Sequence, residues 1–232
     1  MNVAFPDHPQ IAVVSSFLEL TATEFEGTTN ALCWHRRLEG DFEELVSKLT
    51  LQESVTEVSL EVLRALQLSV QGNLARAIIL RDLQALTAIG AAPVLNLIRC
   101  YERDTDFDFI ATDVYSFHVD RSPVATDTFL CTYHGAPSDL IANDQAVLKV
   151  EVPEIREQLK GLHQGTAAEF EDFLKDNYFD LHYQALPNAA TVSLGTGHLW
   201  RLAVDHPTQA VLPCIHRAPV EADGGLRLLL IC

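Results

Sequence analysis

Three residues, two histidines and one aspartate, have the types and the spacing that bind a metal ion. His118 and Asp120 are separated by one residue in the strand-like segment 115–120. Because alternate side chains of a strand lie on one face, both are expected to point into a barrel interior. His216 ends a second strand-like segment, 211–216, which a barrel can bring close to the first. We therefore predict a metal site formed by His118, Asp120 and His216.

The donor set of this site predicts a metal and a reaction. Two imidazoles and one carboxylate on one side of a metal leave positions free for substrate and oxygen, an arrangement that suits non-haem Fe(II). Arg227 lies on the next strand-like segment after His216 and can bind a carboxylate through two parallel hydrogen bonds. The sequence predicts an Fe(II)- and 2-oxoglutarate-dependent dioxygenase that hydroxylates or desaturates a small molecule. The three metal ligands are also its predicted catalytic residues.

The identity of the co-substrate stays open at this stage. Enzymes that bind 2-oxoglutarate often have a serine two residues after the anchoring arginine, and here that position is Leu229. Other side chains near the predicted site can supply the contact to an anion. These are Arg217, Arg201 and Tyr133.

Two alternative functions use the same residues. Imidazole and carboxylate also bind zinc, which predicts a metal-binding cupin-like protein without oxygenase activity. The third interpretation is a ligand-binding or interaction module whose barrel holds no metal. His118 and His216 are then hydrogen-bonded barrel residues, and Asp120 belongs to a turn before Pro123.

The elements that must position these residues change in character near Gly90 and Pro93. Apolar residues recur with helical spacing through 41–89, which predicts an all-helical block. After Pro93 the chain has eight short segments rich in strand-forming residues: 94–101, 113–119, 126–133, 146–152, 190–195, 199–203, 209–215 and 226–231. We predict an α+β fold, a double-stranded β-helix (a jelly-roll barrel of the cupin type) with an N-terminal helical block.

The domain organisation follows from the same change of pattern. Residues 1–92 are predicted to form an arm and helices that pack on the outside of the barrel, and residues 93–232 to form the barrel. A helical insertion is expected near 154–178, where apolar residues again recur with helical spacing.

Composition limits the partners and the compartment. The 232 residues carry a formal net charge of −16, which disfavours nucleic acid and anionic lipid as partners. No apolar run approaches the roughly 20 residues of a membrane helix. The five cysteines are scattered without a CxxC pair, so free thiols are expected rather than a disulfide framework. We predict a cytoplasmic protein whose oligomeric state is open.

Short motifs along most of the chain resemble the bacterial domain-of-unknown-function 1826 family. They are residues 30–37, 117–120, 130–137, 215–219 and 225–230. The family's similarity to cupin-type oxygenases rests on the same His-x-Asp pair and distal histidine. The resemblance therefore implies the barrel fold and adds no activity of its own. His134 and the segment 120–123 depart from the family's pattern near the predicted site, which leaves the substrate open.

Overall fold

The computed structural model describes residues 8–220 and 225–232. Its strands are β1 (Ile11–Val14), β2 (Ala31–Trp34), β3 (Val55–Glu57), β4 (Val94–Ile98), β5 (Phe117–His118), β6 (Asp127–His134), β7 (Asp139–Ile141), β8 (Ala146–Leu148), β9 (His182–Ala185), β10 (Thr191–Ser193), β11 (Leu199–Ala203), β12 (His216–Arg217) and β13 (Arg227–Ile231). Its α-helices are α1 (Phe17–Ala22), α2 (Phe42–Ser47), α3 (Leu60–Ala65), α4 (Val70–Ala88), α5 (Pro153–Leu162) and α6 (Phe170–Asp176).

The strands form two sheets. The large sheet has the order β1-β2-β11-β6-β13-β4-β3, and the small sheet has the order β10-β7-β12-β5-β9-β8. Neighbouring strands are antiparallel except β1 and β2, which are parallel. The predicted α+β class is confirmed, and the two antiparallel-rich sheets are compatible with a sandwich or jelly roll.

Eight of the strands pair as a folded ribbon. In chain order they are β4, β5, β6, β7, β10, β11, β12 and β13. The first pairs with the last (β4 with β13), the second with the seventh (β5 with β12), the third with the sixth (β6 with β11) and the fourth with the fifth (β7 with β10). This nested pairing brings β5 and β12, which carry the two predicted histidine ligands, next to each other.

The core between the sheets is apolar. One buried cluster joins side chains of the large sheet, such as Leu130, Trp200 and Leu229, to Leu140 of the small sheet. Alternation along β6 separates its two faces. Thr128, Leu130 and Thr132 lie on the interior face, and Phe129, Cys131 and Tyr133 pack instead against the helices.

Helices α2, α3 and α4 cover the outer face of the large sheet. Their buried side chains share one cluster with outward residues of β4, β6 and β13. Each helix begins at a side-chain cap, because Asp41, Ser59 and Ser69 accept a hydrogen bond from the backbone N–H three residues later. The prediction of a helical block outside the sheet agrees with these contacts. The prediction that 41–89 is all helical is wrong, since β3 lies between α2 and α3.

Segment 1–92 also supplies strands to the large sheet. β2 pairs with β11, and β3 pairs with β4. The segment is therefore part of the sheet as well as its cover. Helices α5 and α6 occupy the predicted insertion and pack around a separate apolar cluster that includes Ile110 and Phe179.

Three predicted strands differ from the structure. In 146–152 only Ala146–Leu148 is a strand, and Lys149–Glu151 forms a turn of 3-10 helix. Residues 209–215, all of them described, form no strand, and the ladder starts only at His216. Pro213 has no backbone N–H to give to a ladder. In the predicted strand 113–119 only Phe117–His118 is paired. The Asp113 carboxylate accepts hydrogen bonds from the backbone N–H groups of Tyr115 (3.0 Å) and Ser116 (3.2 Å) and makes a turn there.

The segments missed by the sequence patterns are short. β7 and β9 have three and four residues and were not predicted. All five cysteines are free thiols, as expected. Among the residues that the structure describes, no helix is both long and apolar enough to cross a membrane.

Candidate metal centre

His118 and His216 lie side by side on the interior face of the small sheet. They are direct partners in the antiparallel pair of β5 and β12, so their side chains share one face. Their ring centroids are 4.6 Å apart. The neighbouring residues Phe117, Val119 and Ile215 pack in a different cluster on the outer face. Strand alternation thus aims both imidazoles inward.

The backbone fixes which ring nitrogen of each histidine is free to bind a metal. His118 Nδ1 lies 2.8 Å from the carbonyl oxygen of Ser116, and His216 Nδ1 lies 3.1 Å from that of Cys214. A carbonyl oxygen only accepts hydrogen bonds, so each Nδ1 carries the hydrogen. In the neutral form of each imidazole, Nε2 then carries the lone pair that can bind a metal, and the Nδ1 contacts hold the ring orientations.

Asp120 completes the group. Its carboxylate oxygens lie 3.9 Å from His118 Nε2 and 3.7 Å from His216 Nε2. The three ligand atoms all lie within 4.8 Å of one another. The Thr128 hydroxyl donates a hydrogen bond to Asp120 Oδ2, and the backbone N–H of Asp205 donates to the Asp120 carbonyl (2.8 Å). The aspartate is therefore held through both its side chain and its backbone.

The charge states of the group favour metal binding. Burial and the nearby His216 together lower the pKa of His118 to about 4. Burial alone raises the pKa of Asp120, but His216, the Thr128 hydroxyl and His118 together bring it below its usual value. At neutral pH His118 is therefore neutral and Asp120 is ionised. These are the forms that ligate a metal, so binding need not displace a proton from either.

A cavity of about 330 Å³ adjoins two of the three residues, His118 and Asp120. His182, Arg121 and Tyr178 also line it. A cavity beside the ligands is what a substrate or a second ligand of the metal requires.

His182 is a residue of this centre that the sequence patterns missed. It faces His118 across the β5–β9 pair, with ring centroids 5.8 Å apart, and it is buried. Burial, His118 and Lys149 lower its pKa to about 3, so its imidazole is neutral. The sequence shows a histidine at the start of the short segment that forms β9, but it does not show that this residue pairs with His118.

The Arg227 side chain, from β13, lies in the interior beside Thr132 of β6, whereas the triad lies beside Thr128. Its guanidinium is buried and donates hydrogen bonds to the hydroxyl oxygens of Ser138 (2.8 Å) and Thr132 (3.3 Å). Thr128, which holds Asp120, lies four residues before Thr132 on the same face, about 13 Å away at the rise of a strand. The Arg227 side chain therefore faces the interior, as an anchor for a co-substrate must, but it lies away from His118, Asp120 and His216.

Three other predicted anion contacts do not reach the triad. Arg217 follows His216 in β12 and so points outward, where its guanidinium lies 4.3 Å from the Phe117 ring centroid. Tyr133 lies on the helix-facing side of β6, and its hydroxyl donates to Asp82 (2.8 Å). Arg201 pairs with Asp127 (2.7 Å). Strand alternation places these side chains elsewhere, which corrects the prediction that they contact a co-substrate.

Comparison with known proteins identified no relative of this chain. No protein-family model matches the chain, and no curated protein or solved structure was found to be similar. The resemblance to the domain-of-unknown-function 1826 family stays a prediction. Function is therefore inferred from the side chains of the site.

Proposed function

We propose that the chain is a cytoplasmic non-haem Fe(II)-dependent oxygenase that uses 2-oxoglutarate to hydroxylate or desaturate a small molecule. The observation that carries the proposal is the convergence of His118, Asp120 and His216. Two imidazoles and one carboxylate place their ligand atoms within 4.8 Å of one another beside a cavity.

The proposed fold is a double-stranded β-helix. Support comes from the nested pairing of the eight strands from β4 to β13, because a long antiparallel ribbon wrapped on itself gives a jelly roll. In such a barrel β5 and β12 are neighbours in one sheet. The predicted order of ligands along the chain, with a His-x-Asp pair first and a distal histidine later, fits that arrangement.

The donor set fits Fe(II). Two nitrogen ligands and one carboxylate on one side of a metal leave the opposite side for other ligands, and the cavity lies beside His118 and Asp120. When bound together with a 2-oxo acid, Fe(II) supplies the activation of oxygen needed to remove hydrogen from a substrate. His118 and His216 would bind the metal, and the contacts of their rings with backbone carbonyl groups fix the orientation of the rings. Asp120 contributes the negative charge and is oriented by Thr128.

The use of 2-oxoglutarate rests on Arg227. A guanidinium in the barrel interior can bind the distal carboxylate of a dicarboxylic acid through two hydrogen bonds. The Thr132 and Ser138 hydroxyls hold this guanidinium in place. Leu229, two residues further on, also faces the interior and offers no second donor.

One observation favours the second candidate, a metal-binding cupin-like protein that holds zinc without oxygenase activity. Leu130 lies between Thr128 and Thr132 on the interior face of β6 and packs with Leu140 and Leu229. These side chains occupy part of the interior that a dicarboxylate bound to Arg227 must reach. Zinc accepts the same three ligands and needs no such space.

Anaerobic metal binding followed by 2-oxoglutarate consumption tests the proposal. We expect one Fe(II) per chain and, without substrate but with ascorbate added as the two-electron reductant, oxygen- and Fe(II)-dependent conversion of 2-oxoglutarate to succinate and CO2. His216→Ala should lose both, and His198→Ala, which alters a histidine hydrogen-bonded to the backbone of Arg36 (3.2 Å), should retain both. Metal binding without consumption would support the zinc alternative. Failure to bind either metal would refute both.

A further inference from the structure

His182 has the surroundings of a functional residue. Its side chain is buried, it lines the cavity next to His118 and Asp120, and its register opposite His118 places both rings on one face. Among the described residues its buried Nδ1 has no hydrogen-bond partner. Buried polar side-chain atoms in native proteins are nearly always hydrogen-bonded, so an unpaired one calls for an explanation such as a catalytic role or a bound water or ion.

The geometry places His182 outside the group of metal ligands. The ligand atoms of His118, Asp120 and His216 lie within 4.8 Å of one another, and His182 does not belong to that group. Its ring centroid is 5.8 Å from that of His118, farther than the 4.6 Å between His118 and His216. A direct role in holding the metal is therefore assigned to the other three residues.

We propose that His182 hydrogen-bonds to the molecule that binds the metal from the cavity side and so fixes its orientation. The proposal rests on the metal site proposed above. An imidazole offers one N–H donor and one lone pair, so it is complementary to a small ligand with an oxygen or nitrogen acceptor, such as a carboxylate, a carbonyl group or an inorganic anion. His182 then selects among cavity ligands without contributing to the affinity for the metal.

Azide binding to the Co(II)-loaded protein tests this role. Co(II) binding is followed by its visible absorption, and azide is then titrated as a metal-binding anion that accepts hydrogen bonds. His182→Phe has a ring of similar size without a polar atom, and His182→Gln keeps a donor and an acceptor. His198→Phe is the matched control, since His198 stacks on His35, with ring centroids 4.3 Å apart, and does not line the cavity.

We expect all three variants to bind Co(II) as the parent does. His182→Phe should weaken azide binding by about ten- to a hundredfold, the effect of one hydrogen bond to a charged group. His182→Gln should recover part of that loss, and His198→Phe should show none. A purely structural role would not give this recovery by a polar side chain, and His182→Gln keeps the test usable if the phenylalanine variant does not fold.

Three results would overturn the inference. Unchanged azide affinity in both His182 variants would show that the residue does not contact the cavity ligand. A loss of Co(II) affinity as large as that of His118→Ala would make His182 a ligand of the metal. If the parent chain itself binds no Co(II), the proposed metal site fails first, which separates that failure from a failure at His182.

Discussion

A matched pair of threonine substitutions on β6 tests the proposed metal site separately from the proposed co-substrate anchor. Thr128 and Thr132 lie on the same interior face of one strand. The Thr128 hydroxyl donates to Asp120, and the Thr132 hydroxyl accepts from Arg227. Valine has nearly the shape of threonine without the hydroxyl group. Thr128→Val and Thr132→Val therefore remove one hydrogen bond each, from different partners.

The expected magnitude for Thr128→Val follows from the charge on its partner. A hydrogen bond to a charged group contributes about 1.5–3 kcal/mol. Loss of a contact that orients a metal ligand lowers metal affinity by roughly ten- to a hundredfold. The substitution also removes one of the contacts that lower the pKa of Asp120. That pKa starts below its usual acidic value, so Asp120 stays ionised at pH 7, and we attribute the loss to orientation rather than protonation.

Competition with a chromophoric chelator measures the affinity for Co(II) or Zn²⁺ at pH 7. We expect Thr128→Val to bind about ten- to a hundredfold more weakly than the parent and Thr132→Val to bind equally well. Urea unfolding of both variants in the absence of metal controls for a general loss of stability. If Thr128→Val binds metal as tightly as the parent, Asp120 is not a ligand oriented by this hydroxyl. An equal loss in both variants would indicate an effect on the sheet rather than on the site.

Two further substitutions test the anchor and the scaffold. Arg227→Met should weaken 2-oxoglutarate binding by roughly thirtyfold to several thousandfold, the range for losing a buried charged hydrogen-bond partner. Its metal content should be unchanged. Isothermal titration of the Zn²⁺-loaded protein measures the affinity for 2-oxoglutarate, and an unchanged affinity would show that Arg227 is not the anchor. Asp82→Asn leaves the buried Arg36, which contacts Asp82 through both carboxylate oxygens, without its counter-charge and should lower the free energy of unfolding by about 3–5 kcal/mol. Urea unfolding measures the loss, Asp172→Asn on the exposed face of α6 serves as control, and equal stability of the two variants would contradict it.

The longer strands and the alternation within them were predictable from the sequence. β6, β11 and β13 have five to eight residues, and each lies within about a residue of a predicted segment. A strand of this length shows its two faces as an alternation of residue types or as a continuous apolar run. The inward direction of His118 and Asp120 came from the same rule, because residues two apart on a strand share a face.

The bounds of the shortest strands were not predictable, although β5, β8 and β10 fall inside predicted segments. β5 and β12 have two residues each, and β7 has three, which is too few to show a period. Their existence depends on the ladder that neighbouring strands offer them. β3 was assigned to the helical block for the same reason, since its three residues lie between two helices and pair only with β4.

The features of the site that could not be predicted from the sequence are those that depend on the register between strands. Because side chains alternate within β12, Arg217 must point away from the interior if His216 points toward it. The sequence alone therefore argued against Arg217 as a contact to the co-substrate. The position of His182 opposite His118 could not be predicted, because it depends on which residues of β5 and β9 pair, and a shift by one residue would turn His182 to the outer face. Burial fixes that register here: His182 is enclosed beside His118, and Leu181, the residue before it, packs with Phe117 and Ile215 on the outer face. The apolar residues on the outer face of the small sheet thus decide which polar residues face the proposed metal site.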